Sequence, residues 1–129
     1  MIRLTPLEQG EQLTRLCREY GVPETKNVHA YVSADPNLKA QCIFSLEKYV
    51  VTLLAIDFSD SDPLIPELLI RAVGSYAANR SGYIFNIPSA QADAIAPTLQ
   101  TLRFEKNENG YSGKVPKVLA GTCQCKNNQ

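Results

Sequence analysis

A chain of 129 residues, 44% hydrophobic and 20% charged, is the size of one ordinary domain and is apolar enough to bury a core, which excludes a disordered chain. Thirteen basic residues balance thirteen acidic ones, so no net field draws it to nucleic acid or to an anionic membrane surface. The longest apolar run, Tyr49 to Ile56, is too short to cross a bilayer, and the opening MIRLTPLEQG holds no apolar signal region, so the expected setting is cytoplasmic, with no membrane or nucleic-acid partner.

In chain order, MIRLT is a strand candidate, and Thr5-Pro6-Leu7-Glu8 has the form of a capping box with proline at the first helical position. Leu13, Leu16, Cys17 and Tyr20 then recur at helical spacing, and Gly21 stands where a helix-ending glycine belongs. The runs VHAYVSA, KAQCIFSLE and YVVTLLAIDF are rich in β-branched and aromatic residues and are separated by turn residues, which predicts an antiparallel meander with the third run central. Pro66 is expected to open the next helix, with Leu69, Ala72, Val73 and Tyr76 inward and NRSG at its end. YIFNI reads as a short buried strand, and SAQADAIAPTLQTL as a helix capped by Ser89 and bent or restarted at Pro97.

RFEKNE and YSGKVPKVL flank Asn109-Gly110, a two-residue hairpin signal, and Pro116 would confine the last strand to an edge or a bulge. The order is β-α-β-β-β-α-β-α-β-β. It defines an α+β fold, α/β in the wider sense: a mixed, largely antiparallel central sheet flanked by helices. Residues 1–122 are expected to form one domain and 123–129 a flexible tail. The expected core joins Ile56, Phe58, Leu69, Val73, Ile84, Phe85, Leu99, Leu102 and Phe104.

No metal site is expected. Of four cysteines, only Cys123 and Cys125 are close in sequence, one residue apart where zinc knuckles use two, and His29 is the single histidine. Without a secretory signal the thiols are expected to be reduced, with Cys17 and Cys42 in the core.

From Tyr49 onward the order and residue classes resemble the GNAT superfamily, whose members transfer an acyl group from coenzyme A to an amine. Leu54-Ala55-Ile56-Asp57-Phe58 is similar to the end of the family's fourth strand, and Thr98-Leu99-Gln100-Thr101-Leu102-Arg103-Phe104 sits where the family has a helix reading Leu-Tyr-x-x-Leu-Gly-Phe before a final hairpin. The resemblance covers the last 80 residues clearly and the N-terminal part only in order of elements, with one helix fewer between the first helix and the second strand. It implies a GNAT-like sheet with a cleft between its middle strands, lined by Leu54, Phe58, Tyr83 and Phe85.

The departures fall on the functional positions. The family holds the cofactor's pyrophosphate with glycine backbone and a helix N-terminus. The corresponding loop here is Ser59, Asp60, Ser61, Asp62, Pro63 and Leu64, with no glycine, no base, and a proline that lacks a donor. Acids at a helix start are explained by the macrodipole alone. Leu99 stands where the family has a tyrosine acting as general acid, and Arg103 replaces the glycine before Phe104. Glu47, His29, Tyr83 and Tyr111 are read as solvated or packing residues, so no catalytic residue is assigned. The expectation is a GNAT-like protein without acetyl-CoA chemistry and without a cofactor. It would act as a module for a small molecule or a protein partner, a second copy included. The alternative is a divergent acetyl-CoA-dependent N-acetyltransferase.

Overall fold

The computed structural model describes residues 3–7, 9–59 and 62–121. Among them a seven-stranded sheet runs in the order β1-β2-β3-β4-β5-β7-β6. Its strands are β1 (Leu4–Leu7), β2 (Val28–Ser33), β3 (Ala40–Glu47), β4 (Val50–Phe58), β5 (Ile84–Pro88), β6 (Glu105–Asn107) and β7 (Gly110–Lys114). The helices are α1 (Glu11–Glu19), α2 (Leu64–Ala78), α3 (Ser89–Ala92), α4 (Ala96–Thr101) and α5 (Val115–Gly121), with a 3-10 turn at Asp93–Ile95. Every pairing is antiparallel except β4 with β5. The meander and the central place of the apolar third run are as the sequence predicts.

The sheet separates two apolar clusters. On the side of α2, Phe44, Val51, Leu53, Leu69, Val73, Phe85, Leu99, Leu102 and Phe104 are buried together, with Ile56 and Phe58 packed against them. On the other side, Leu13, Leu16 and Cys17 of α1 meet Val28, Ala30, Ile43 and Ala55. Between Ile43 and Phe44 the β3–β4 register slips, so that Ile43 pairs with Ala55 and Phe44 with Leu53. Leu54 is the extra residue. It turns two successive side chains, Leu54 and Ala55, toward α1, after which Ile56 and Phe58 return to the α2 side.

Several expectations are corrected. Thr5-Pro6-Leu7 does not cap a helix but belongs to β1, an edge strand, where the missing N–H of Pro6 leaves no ladder bond unmade on the outer side. Glu8 lies outside the described residues; α1 begins at Glu11 after Gly10. The helix after β4 opens at Leu64, two residues before Pro66, which is tolerated in a first turn that has no N–H partner to lose. The stretch from Ser89 is three short pieces: Ser89 is not a cap but the first residue of α3, after Pro88, and the chain restarts as a helix at Ala96, with Pro97 in its first turn. The hairpin loop is Glu108-Asn109, and Gly110 is the first residue of β7. A Cβ on Gly110 would stand 2.1 Å from the Ile87 carbonyl oxygen, so glycine is required by the close approach of β7 to β5.

The largest correction concerns VPKVL. It is not strand but helix α5, with Pro116 in its first turn and Val115 and Val118 both buried. Gly74 lets α5 dock on α2, since a Cβ there would lie 3.1 Å from Leu119 Cδ2. β7 is therefore interior and β6 the edge. Ile84 is absent from the core because it faces away from the α2 cluster, whereas its neighbour Phe85 is fully buried. Cys17 and Cys42 are buried, and Cys123 and Cys125 lie outside the described residues.

Candidate functional site

The parallel pair is short. Val50, Val51 and Thr52 pair with Ile84, Phe85 and Asn86, and there the ladder stops. β4 runs on for six residues to Phe58, while β5 ends at Pro88 and turns into α3. The two central strands thus fork at Thr52 and Asn86. These are polar residues, each set among apolar neighbours in its strand, and they face the side away from the α2 core. A cavity of about 260 Å³ lies at the fork, lined by Thr52, Asn86, Pro88, Asn107, Asn109 and Tyr111 among others. Thr52 also borders a second, wider depression of about 570 Å³ with Asn27, Ser45, Glu47, Tyr49 and Val50. Asn27 Nδ2 donates to Glu47 Oε2 at 3.2 Å on its rim.

The four residues expected to line the family's cleft are placed apart. Leu54 and Phe58 both lie on the splayed length of β4, but Leu54 packs toward α1 and Phe58 toward α2. Phe85 is buried in the α2-side core, stacked edge-on against Phe104 at 5.2 Å between ring centroids. Tyr83, before β5, is 46% exposed, with its backbone N–H donating to Tyr49 C=O. None of the four lines the fork cavity. The residues that do were missed, although a lone polar residue in each of two apolar strands, Thr52 in VVTLL and Asn86 in YIFNI, was a usable signal.

The loop from β4 to α2 is held at both ends. Ser59 N–H donates to Lys39 C=O at 3.1 Å. Asp62 Oδ1 accepts the Leu64 N–H at 3.0 Å, and Asp62 C=O accepts the Ile65 N–H at 3.1 Å. The carboxylate therefore occupies the positive end of α2 and takes up one of its backbone donors. Pro63, in helical conformation at φ −64°, contributes no N–H, and Leu64 is 57% exposed. Asp60 and Ser61 lie outside the described residues. Leu99, at the family's general-acid position, is fully buried among apolar side chains.

Just before this loop, Asp57 binds a polar cluster that ties α1 to the sheet. Tyr20 OH donates to Asp57 Oδ2 at 2.5 Å, Gln41 Nε2 donates to the Tyr20 hydroxyl, and Lys39 Nζ lies 3.1 Å from the same carboxylate oxygen. The Tyr20 bond, with Lys39 behind it, holds the Asp57 carboxyl below its ordinary range although partial burial opposes this. Burial, then the bond to Asp57, pushes the Tyr20 phenol up to about 12. The proton stays on the tyrosine and the charge on the aspartate. His29, elsewhere, meets the Tyr76 hydroxyl at 3.1 Å on the α2 side, with the Arg80 guanidinium 3.6 Å above the Tyr76 ring. Among the described residues no three histidine, cysteine or acidic side chains converge as a metal site.

A mixed seven-stranded sheet with one parallel pair, forked midway and leading from its longer strand into a helix, is the GNAT fold. The solved structures bear this out. A Klebsiella pneumoniae subsp. pneumoniae MGH 78578 protein described as a "putative acyl-CoA N-acyltransferase" superposes with a TM-score of 0.64 at 10% identity, covering 89% of this chain and 98% of its own. A Staphylococcus epidermidis ATCC 12228 protein described as a "probable acetyltransferase" gives 0.58 at 13% identity, over 88% and 96% of the two chains. No protein-family model matches the chain, and no curated protein matches it by sequence. Among the described residues no helix is long and apolar enough to cross a membrane.

Proposed function

We propose that this chain is a GNAT-fold binding module that has given up acetyl-CoA-dependent catalysis and works in the cytoplasm on a small ligand or a protein partner, a second copy included. The observation that carries this reading is the Asp62 carboxylate on the N-terminus of α2. An incoming pyrophosphate would have to displace or face a negative charge that already holds the Leu64 N–H. It would find a proline in place of a further donor. Each like-charge contact near 4 Å opposes binding by about 1 kcal/mol in water and by about 4 at an effective dielectric near 20. A helix that in the family serves an anion is here capped by the chain itself, and Leu99 has no proton for a leaving thiolate.

One observation favours the other reading, a divergent N-acetyltransferase. The fork at Thr52 and Asn86 is open, and Tyr111 lines its cavity, which puts a hydroxyl-bearing residue beside the place a thioester would enter. Thermal unfolding with and without acetyl-CoA separates the two. A binding module of the proposed kind shifts in Tm by no more than about 2 °C at about 1 mM acetyl-CoA. A ligand at a hundred times its Kd stabilises by about 2.7 kcal/mol, a shift of several degrees, and such a shift would favour the enzyme.

A further inference from the structure

A cavity of about 230 Å³ is lined by Arg103, Lys114 and Lys117 together with Ile84, Glu105 and Ser112. It lies at the opposite end of the sheet from the α2 N-terminus, because Ile84 pairs with Val50, the first residue of β4, whereas α2 follows the last. The inference drawn from it does not depend on the proposed loss of acetyl-CoA chemistry.

Arg103 carries the first part of the argument. Its N–H donates to Gln100 C=O at 3.1 Å and that of Phe104 to Leu99 C=O at 2.9 Å, which makes Arg103 the left-handed residue of a Schellman motif, with φ at 71°. The same motif ends α1, where Gly21 holds φ at 66° and the Gly21 and Val22 N–H groups donate to Arg18 and Cys17 carbonyls. Glycine is the favoured residue there because a Cβ disfavours left-handed backbone. Folding alone does not explain a long cationic side chain at 103. Lys48 and Ser81 also hold positive φ, but of the three only Arg103 joins further cations around a cavity.

The other groups converge from the strand and helix beside it. Lys114 ends β7 and Lys117 follows three residues later in α5, so both line the one cavity. Ser112 precedes Lys114 by two residues on the same face of β7; its oxygen accepts from Asn107 Nδ2 at 3.4 Å, which leaves its own O–H able to donate. Among the described residues no carboxylate forms an ion pair with any of the three cations. Three positive charges and the carboxylate of Glu105 leave a net of two positive charges around the cavity. Ile84 supplies an apolar wall.

We propose that this cavity binds a small phosphomonoester. Such a group is close to a dianion at neutral pH, which matches the net charge. The planar guanidinium takes two of its oxygens, the two ammonium groups neutralise the remainder, and the Ser112 hydroxyl donates to a third oxygen. The carbon skeleton rests on Ile84. The volume, below the range of drug-sized pockets, restricts that skeleton to a few carbons.

The test is an amide NMR titration with ribose 5-phosphate, with ribose and inorganic phosphate as comparisons. Ribose 5-phosphate is expected to shift the amides of Arg103, residues 112–115 and Lys117 with a Kd at or below about 1 mM, and inorganic phosphate to shift the same amides more weakly. Ribose should shift none. Arg103→Gly should lose at least about tenfold in affinity while its Tm rises by about 3 °C as the left-handed strain is relieved, so that lost binding is not lost folding. Lys117→Gln, at an exposed position, should lose about threefold or more. The proposal is overturned if about 10 mM ribose 5-phosphate shifts no amide in this set, if ribose does so equally, or if both variants bind as tightly as the parent.

Discussion

Truncating Phe104 to alanine tests the junction on which the C-terminal half is built. Phe104 follows the left-handed Arg103 at the end of α4, is 6% exposed, and stacks edge-on against Phe85. Opposite it, Gly113 has no side chain, and a Cβ there would stand 3.3 Å from the Phe104 ring and 2.9 Å from Val118 Cγ2. The ring therefore fills space left by a glycine in β7, between Phe85 and Val118. Removing a buried phenyl in that setting costs about 3–5 kcal/mol, the lost aromatic pair included. For 129 residues the unfolding entropy at Tm is about 0.27 kcal/mol per degree, so the expected fall in Tm is about 11–18 °C. Urea denaturation supplies the free energy directly, with the m-value unchanged if the folded state is otherwise intact. A loss below about 1 kcal/mol would refute the placement of this ring in the core.

The remaining predictions are independent of that site. In a variant with Cys123 and Cys125 changed to serine, Cys17 and Cys42 should react with a thiol reagent only as fast as the protein unfolds, since burial raises both thiols, Cys42 to about 12; rapid labelling of Cys17 in the native state would contradict the packing of α1. Asp57 is held below its ordinary 3.8, so its stabilising contribution is present above that pH and is lost as pH falls through the lower folded value. The stability gap between the parent and Asp57→Asn should therefore narrow on acidification below about pH 4, and a gap that stays constant from pH 6 down to pH 2 would exclude the ionised carboxylate. Asp62→Ala, by removing the cap of α2, should cost about 1 kcal/mol, and Asp62→Asn less, because the acceptor is kept; equal losses would deny the cap.

Much of the fold was legible because several local signals agreed. The spacing of Leu13, Leu16 and Cys17 and the glycine at 21 mark α1 and its end without any knowledge of the sheet. Misreadings came where one local pattern suits two structures. Thr5-Pro6-Leu7-Glu8 fits a capping box, yet the same proline suits an edge strand, and pairing with β2 decides between them. Val-Pro-Lys-Val-Leu is β-prone by propensity, but Gly74 opens a seat for α5 on α2, and that tertiary contact overrides propensity. Of the site, the acids and proline after β4 were readable as a departure. The hydrogen bond that turns Asp62 into a cap was not, since it depends on loop geometry. The fork left only a faint trace, the lone polar residues Thr52 and Asn86, because where β4 and β5 stop pairing depends on the paths of the two strands and not on local propensity.

The central claim, that the GNAT fold has been kept while its coenzyme site has been closed by the chain's own carboxylate, meets its most direct test in isothermal titration calorimetry with acetyl-CoA and with free coenzyme A. Micromolar binding requires about 8 kcal/mol, and the missing donor, the absent glycines and the capping charge are expected to hold the dissociation constant in the millimolar range or beyond. Asp62→Asn should not restore binding, because Pro63 and the side chain of Leu64 remain. A dissociation constant below about 50 μM for either ligand, near −6 kcal/mol, would contradict the account and make the chain a divergent acyltransferase.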